Sequence, residues 1–268
     1  MLPFPRCTDR LYYSDAFLYK TKASISKIGK DYVELDATLA YPEGGGQESD
    51  IGTLTLPNGT AIRFIHVRKM YGQRANIPDF PDIQLGGVVE HLIHPDDLPH
   101  LALLKNGEQV QISIDTLRRA QLSLSHTASH LLYLGVEQIR PDATEWTLGC
   151  HIRPDGARFD FGVSHRFTPE EVFAIEQIAN DLVTRGSPVL TYAHSDHIDA
   201  RYWECEGHIM PCGGTHIGST APIGRIAVRR KSMGSGKERL VCQFDHARFD
   251  TSAFHATSCT DALPEASS

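Results

Sequence analysis

The sequence predicts an α+β protein in which a small β-barrel is followed by a two-layer domain of helices and strands. Short alternating runs of apolar and polar residues, separated by turn signals, fill the first 115 residues, and this spacing is typical of a small barrel. Farther along, segments with helical periodicity alternate with strand-like runs, which indicates helices layered on a sheet. We therefore predict a barrel at 1–115, an α+β domain at 116–250 and a disordered tail of small and polar residues at 251–268.

Charge and apolar pattern restrict the class of protein. With 26 Lys and Arg against 33 Asp and Glu, the formal net charge is −7, so any contact with nucleic acid must use a local basic patch. No apolar run is long enough for a signal peptide or a membrane span. We expect a cytoplasmic protein without a membrane partner or a nucleotide cofactor, whose six cysteines are reduced thiols. The sequence leaves the oligomeric state open.

The barrel strands are predicted from apolar and polar residues that alternate with a period of two. Turns are predicted at 57–59 and 105–107, where Asn-Gly follows proline or lysine. The predicted strands are 24–28, 32–36, 53–56, 61–65 and 109–114.

One loop of the barrel half, YPEGGGQ at 41–47, carries three successive glycines. Because glycine costs backbone entropy, such a run in a structured protein has two interpretations. Either the loop is a flexible turn, or the backbone at Gly45 and Gly46, which carries no side chains, approaches a ligand that the polar side chain of Gln47 also contacts.

The α+β half begins with a helix predicted at 115–138. Its histidines, His126 and His130, are four residues apart and therefore project from one helical face. Strands are predicted around 146–152 and 157–161, and a Thr-Pro-Glu-Glu start predicts a second helix at 168–184.

A second pair of metal-ligand residues lies far downstream in C-G-G-T-H, where Cys212 and His216 are also four residues apart. The two glycines between them let the backbone turn tightly. Three imidazoles and a thiolate suit zinc, so one zinc ion per chain is predicted on His126, His130, Cys212 and His216. Thr127 stands where a metalloprotease helix carries its glutamate, which argues against peptide hydrolysis. A purely structural zinc stays open, since four protein ligands would close a tetrahedral shell.

Five other histidines are not expected to be ligands, because surface loops collect histidines readily. Cys205, near the ligand loop in sequence, is the substitute if Cys212 is not the thiolate. The five histidines are His91, His94 and His100, in a proline-rich connection, and His194 and His197, in an H-x-x-H.

The segment at 224–244 is rich in basic residues and contains Ser-Gly-Lys at 235–237. It is either a solvated, charged edge strand or a local patch for phosphates, with glycines for close approach. The candidate RNA-binding residues are Arg229, Arg230, Lys231, Lys237 and Arg239.

Taken in order, these motifs resemble the AlaX family, the free-standing relatives of the editing domain of alanyl-tRNA synthetase. The loop at 41–47 is similar to the family's Y-P-E-G-G-G-Q loop, 126–132 to its H-T-A-(S/T)-H-L-L helix, and 211–216 to its P-C-G-G-T-H loop. The sequence departs from the family at 147–150, where it reads T-L-G-C instead of a Gln-x-Gly-Ser element. Two further strands resemble the family, R-F-D-F at 158–161 and the basic strand at 231–240.

The resemblance implies an aminoacyl-tRNA deacylase that acts in trans on the acceptor end of mischarged tRNA(Ala), carrying serine or glycine, by zinc-dependent ester hydrolysis. Editing is needed because an alanine pocket excludes glycine by only about 1–3 kcal/mol and rejects an added hydroxyl poorly. Thr127 is then expected to form a hydrogen bond with the serine hydroxyl of the substrate. Alternatively, its own hydroxyl bonds only to the backbone of the preceding helical turn. The catalytic residues of the loop are expected to be Gln47, Gly45 and Gly46, and the backbone amides of Gly44–Gly46 would steady the oxyanion.

Two other functions stay open. A threonyl-type editing deacylase shares the fold and acts on seryl esters, and the tRNA it accepts would distinguish it. A non-catalytic, zinc-stapled RNA-binding adaptor would bind tRNA without turnover and would collapse when the metal is removed.

Overall fold

The computed structural model describes residues 6–256 of the chain. The regular secondary structure of its amino-terminal part is mostly strands, in which every second side chain points to the same face. In chain order these strands are β1 (Asp9–Arg10), β2 (Leu18–Ile28), β3 (Tyr32–Leu35), β4 (Ala37–Thr38), β5 (Gly52–Thr55), β6 (Ala61–Met70), β7 (Gln73–Ile77), β8 (Phe80–Leu85), β9 (Val88–Ile93) and β10 (Gln109–Ile114).

Six of these strands close into a barrel, as the sequence predicts. They pair in the order β10-β5-β6-β9-β3-β2, and β10 pairs again with β2, which closes the ring. Apolar side chains from all six strands fill the interior, among them the completely buried Leu54, Ile62 and Ile112. Strands β7 and β8 form a hairpin outside the barrel, and Phe80 of this hairpin contacts Tyr202 with ring centroids 4.9 Å apart.

His91 lies inside this barrel, so its assignment to a proline-rich connection is wrong. It belongs to β9, and the prolines come only afterwards, in a 3-10 helix at Pro95–Leu103. His91 Nδ1 is 3.1 Å from the carbonyl oxygen of Val33 and must donate to it, so Nε2 accepts from the Thr38 hydroxyl at 2.8 Å. Burial lowers the pKa of His91 to about 4, and the residue is therefore a neutral part of the barrel core.

The carboxy-terminal part contains helices layered on a sheet, which confirms the predicted α+β class. The sheet has the strand order β11-β12-β17-β16, and a separate three-stranded sheet, β13-β14-β15, was not predicted. The elements are α1 (Thr116–Ile139), α2 (Pro141–Glu145), β11 (Thr147–Arg153), β12 (Gly156–Gly162), α3 (Pro169–Arg185), β13 (Leu190–Ala193), β14 (Arg201–Cys205), β15 (His208–Pro211), β16 (Arg225–Ser232), β17 (Lys237–Asp245) and β18 (His255–Ala256).

One face of the four-stranded sheet packs against α1 and α3 around a common apolar core. Leu131 of α1, Ile175 of α3 and Phe161 of β12 are all completely buried in it. The predicted capping box starts α3, with the Thr168 hydroxyl accepting from the Glu171 amide at 3.2 Å. Within residues 6–256, no helix is both long and apolar enough to cross a membrane.

A buried ion pair ties α1 to the barrel. Arg119 of α1 donates from Nε to both carboxylate oxygens of Asp50, at 3.1 and 3.2 Å, and from Nη2 to the Leu39 carbonyl at 2.7 Å. Asp50 also accepts from the Tyr41 amide at 2.7 Å. The pair therefore holds the start of the glycine loop in a fixed position relative to α1.

Two predictions fall partly outside the described residues. Of the predicted tail, 251–256 is described and contains β18, which pairs with β2, whereas 257–268 is outside. The five cysteines within residues 6–256 are free thiols, and Cys259 lies outside that range. The division of the chain near residue 115 into two domains stays a prediction.

Candidate metal centre

Four side chains predicted as ligands come together in the structure. Helix α1 supplies His126 and His130, and the segment after β15 supplies Cys212 and His216, with all four ligand atoms within 4.8 Å of one another. Cys212 Sγ lies 3.3 Å from His216 Nε2 and 3.4 Å from His126 Nε2. Bonds of the usual zinc–nitrogen and zinc–sulfur lengths in a tetrahedron place neighbouring ligands about 3.3–3.6 Å apart. Cys212, His126 and His216 therefore lie at separations that a tetrahedral ion requires, and His130 completes a group that could hold one metal ion.

The partners of His130 point to the same conclusion. Its Nε2 is buried and has no hydrogen-bond partner within residues 6–256, while Nδ1 lies 3.4 Å from Met210 Sδ. The ring stacks on Trp203 with centroids 4.6 Å apart, which fixes the direction of Nε2. A buried nitrogen without a partner costs about 1–3 kcal/mol, and a metal ion bound by the cluster would satisfy it.

Burial controls the protonation of all four ligand residues. It lowers the pKa of His130 to about 3 and, together with the neighbouring imidazoles, holds the pKa of His126 and His216 well below the usual value. The histidines are therefore neutral, as metal binding requires. Burial raises the pKa of the Cys212 thiol to about 12, and a hydrogen bond from the Gly214 amide acts in the opposite direction. A bound cation would favour the thiolate.

Gln47 orients His126. Its Oε1 accepts from the Thr215 amide at 3.1 Å and lies 2.7 Å from His126 Nδ1, while its Nε2 donates to the Thr215 hydroxyl at 3.0 Å. Because an amide oxygen only accepts, Nδ1 carries the proton, and Nε2 keeps its lone pair for the cluster. Gln47 is completely buried. Its side chain, which was expected to reach a ligand, contacts the candidate ligand His126 and does not line the pocket.

Thr127 holds a second ligand in the same way. Its hydroxyl donates to the Ser123 carbonyl at 2.9 Å and accepts from the Ile217 amide at 3.2 Å. It also lies 3.2 Å from His216 Nδ1, which leaves His216 Nε2 facing Cys212. Thr127 is completely buried and does not line the pocket. The hydroxyl thus makes the bond back to the preceding helical turn, and its expected contact with a serine hydroxyl stays a prediction.

Close contacts with neighbouring side chains require glycine at two positions near the candidate metal centre. A Cβ at Gly214 would lie 2.1 Å from the ring of His126, so the backbone of the C-G-G-T-H segment passes directly against a metal-ligand histidine. Gly46 has φ +82°, and a Cβ there would lie 2.2 Å from Cys150 Sγ. Gly45, with φ +57°, lies on the pocket wall instead. Only one of the two glycines predicted as catalytic therefore faces the pocket.

A pocket of about 760 Å³ opens over the metal-ligand residues. Aromatic rings from both parts of the chain form much of its wall, including Tyr13, Tyr41 and Phe159. The Arg201 guanidinium lies over the ring of Tyr13, 4.8 Å from its centroid. Lys69 is also on the wall, and burial lowers its pKa to about 7. Tyr13, Arg201 and Lys69 were not predicted because each stands alone, outside any motif, whereas Tyr41 and Phe159 lie in the motifs at 41–47 and 158–161.

The predicted RNA-binding residues do not share one face. Arg229, Lys231 and Lys237 are exposed on the four-stranded sheet, and Arg239 pairs with Asp160 at 2.6 Å. Arg230 instead lies 3.3 Å from the buried Glu238 and donates to the Phe167 carbonyl at 2.8 Å. It belongs with the opposite face, because neighbouring residues in a strand point to opposite sides.

The remaining histidines and Cys205 stay apart from the cluster. Within residues 6–256, the four ligand residues are the only group of His, Cys, Asp or Glu whose ligand atoms converge on one point. His194 and His197 stack on each other with ring centroids 5.6 Å apart, and Cys205 is buried in the apolar core.

The barrel, the α+β part and the group of three histidines and one cysteine define a protein with a candidate metal centre beside a pocket. No protein-family model matches the chain. It is 30% identical over 257 residues to the alanyl-tRNA editing protein AlaX-M of Methanosarcina barkeri, a match that covers 87% of this chain and 97% of that protein. The chain belongs to the AlaX family of alanyl-tRNA editing proteins.

Similarity extends to alanine–tRNA ligases. The chain is 31% identical over 258 residues to the ligase of Methanopyrus kandleri and 30% identical over 254 residues to that of Pyrococcus furiosus. These matches cover 87% of this chain but only 26% and 25% of the two ligases. The chain thus spans about a quarter of the length of these relatives.

Proposed function

We propose that the protein is a trans-editing deacylase that hydrolyses the ester of seryl-tRNA(Ala), with glycyl-tRNA(Ala) as a second substrate. The observation that carries this proposal is the position of the Cys-His₃ group at a pocket of about 760 Å³. That volume lies within the range of about 300–1,000 Å³ typical of small-ligand sites, and we expect it to receive an aminoacylated terminal adenosine. Membership of the AlaX family supports the choice of tRNA(Ala).

The pocket wall has the chemistry needed to hold the end of an RNA strand. Tyr13 and Phe159 are half-buried and present aromatic rings, and base–aromatic stacking contributes about 1–3 kcal/mol per base. Arg201, fixed over Tyr13, adds a cation beside these rings. These residues would bind the terminal adenosine and place the ester over the metal-ligand residues, which is the positioning that lowers the barrier to hydrolysis.

The donor set favours zinc as the bound ion. When bound, zinc would supply Lewis-acid stabilisation of the charge that develops during ester hydrolysis. Gly45 is the candidate oxyanion donor from the chain itself, because it lies on the pocket wall while the Gly44 amide already donates to the Gln47 carbonyl at 3.1 Å. Gln47 and Thr127 contribute by orienting His126 and His216.

Deacylation assays test this proposal. Metal-loaded protein should release serine from seryl-tRNA(Ala) and spare alanyl-tRNA(Ala). Acceptance of seryl-tRNA(Thr) at a similar rate, without a requirement for the G·U pair in the acceptor stem, would instead support a threonyl-type editing deacylase.

A zinc-stapled RNA-binding adaptor is the second candidate, because four protein ligands would close a tetrahedral shell. It predicts tRNA binding without turnover and a cooperative loss of structure when the metal is chelated. Multiple turnovers of seryl-tRNA(Ala) would exclude it.

A further inference from the structure

The solvent-facing side of the four-stranded sheet concentrates positive charge in a chain whose net charge is −7. Its strands pair in register, and the side chains that alternate with the buried Phe161 and Leu240 form two cross-strand rows on the outer face. Lys237, two residues before Arg239, shares that face. The first row contains Arg158, Val241 and Arg229, and the second contains Asp160, Arg239 and Lys231.

Most of this charge has no partner within the protein. Asp160 is the one carboxylate in the two rows, and it pairs with Arg158 and Arg239. Arg229, Lys231 and Lys237 are exposed and form no ion pair with any residue in 6–256. Five cations against one carboxylate leave a net charge of +4. Neighbouring strands are about 4.8 Å apart, so each row of three residues extends roughly 10 Å across the sheet, a distance over which a chain of phosphates can contact it.

An exposed tryptophan lies at the edge of the same face. Trp146 has 57% of its surface exposed, although a tryptophan is usually well buried. Its indole covers Gly162, where a Cβ would lie 2.1 Å from the ring, and Gly162 pairs in register with Lys237. Trp146 immediately precedes β11, whose Cys150 lines the pocket, about 13 Å farther along an extended strand. An exposed aromatic face beside unpaired cations is a platform for a nucleobase.

We propose that this outer face docks the double-helical acceptor stem of tRNA. Phosphates contact Arg229, Lys231 and Lys237, and Trp146 lies against the last base pair, from which the unpaired 3′ end crosses the edge of β11 to the pocket. This inference rests on the proposed function, since it is the pocket that receives the 3′ end. Arg230 has no part in docking, because it pairs with Glu238 on the other side.

The test is equilibrium binding of uncharged tRNA(Ala), followed by fluorescence anisotropy over a series of salt concentrations. Each phosphate contact contributes about 0.7–0.9 to the slope of log K against log salt. The double variant Arg229→Ala/Lys231→Ala should therefore lose about 1.5 from the slope and bind at least tenfold more weakly at low salt. The matched control is Lys30→Ala/Lys105→Ala, which removes two exposed lysines from the barrel part and should bind as the wild type does.

A second measurement separates this surface from the pocket. Seryl-adenosine has no stem, so the docking variant should hydrolyse it at the wild-type kcat/KM while losing activity on seryl-tRNA(Ala). An unchanged salt slope, or an equal loss in the control variant, would overturn the docking surface. If the wild type hydrolysed neither ester, the proposed function would fail, and the salt series would still decide whether RNA binds this face.

Discussion

Gln47 Oε1 lies 2.7 Å from His126 Nδ1, a contact between residues 79 positions apart in the chain. It joins the glycine loop of the barrel part to the helix that carries two of the four ligand residues. Because the amide oxygen accepts the Nδ1 proton, it leaves His126 Nε2 facing Cys212. The loop and the candidate metal centre therefore form a single unit, and changes in one should be detected in the other.

Replacing Gln47 should weaken metal binding although Gln47 is not itself a ligand. The substitution Gln47→Leu removes the acceptor for His126 and leaves the Thr215 amide without its partner. Loss of such an orienting contact costs about 10–100-fold in metal affinity, measurable by competition with a chelating dye. Gln109→Leu, at an exposed position of β10, is the control. Equal affinities for the wild type and Gln47→Leu would contradict the orienting role.

Thr127→Val should slow the hydrolysis of seryl and alanyl esters together. The variant keeps the shape of the side chain but removes the hydroxyl that holds His216 and the Ile217 amide. Each buried group left without a partner costs about 1–3 kcal/mol, so stability should also fall. Because the hydroxyl is turned away from the pocket, the ratio of kcat/KM for seryl- and alanyl-tRNA(Ala) should not change. A shift of that ratio toward alanyl-tRNA would show instead that Thr127 contacts the substrate.

Arg119→Met should strongly destabilise the fold. It leaves Asp50 buried without its cation, and breaking one partner of a buried ion pair typically costs about 3–5 kcal/mol. Urea unfolding followed by circular dichroism measures the loss. The double variant Arg119→Met/Asp50→Leu removes both charges and should recover part of the stability. A single variant within about 1 kcal/mol of the wild type would show that the pair contributes little.

The ligand residues were predictable because the ligand pairs are local in sequence. His126 and His130 share a helical face, and Cys212 and His216 flank two glycines, so the spacing alone identifies them. The bond from Gln47 to His126 is a contact between distant side chains, which no local pattern records. The direction of the Thr127 hydroxyl depends equally on where the 212–217 segment passes over α1.

The sequence also contains patterns that indicate structural features not included among the predictions. The run Val88–Ile93 is rich in β-branched residues and forms β9, but the following prolines favoured a connection. Arg229 and Arg230 were grouped together, although a period of two places them on opposite faces of a strand. The sheet β13-β14-β15 has short strands, and Leu190–Ala193 is exposed along its whole length, so its apolar periodicity is weak.

His91 should make the stability of the fold depend on pH. Its pKa is about 4 in the folded protein and about 6.5 in an unfolded chain, so between these values only the unfolded state takes up the proton. The stabilisation is complete above pH 6.5 and is lost as the pH falls toward 4, by about 3 kcal/mol. His91→Gln lacks this titration, and both proteins keep the same metal-ligand residues. The difference between the free energies of unfolding of the wild type and His91→Gln should therefore shrink as the pH falls from 6.5 toward 4. If the two free energies changed in parallel with pH, the prediction would be contradicted.

The most direct test of the central claim measures metal content and deacylation on the same samples. Wild-type protein is predicted to hold one zinc ion per chain and to hydrolyse seryl-tRNA(Ala), and Cys205→Ala, a buried cysteine outside the cluster, should match it. Cys212→Ala and His126→Ala should lose the ion and the activity together. Full metal content and wild-type hydrolysis in Cys212→Ala would contradict the account.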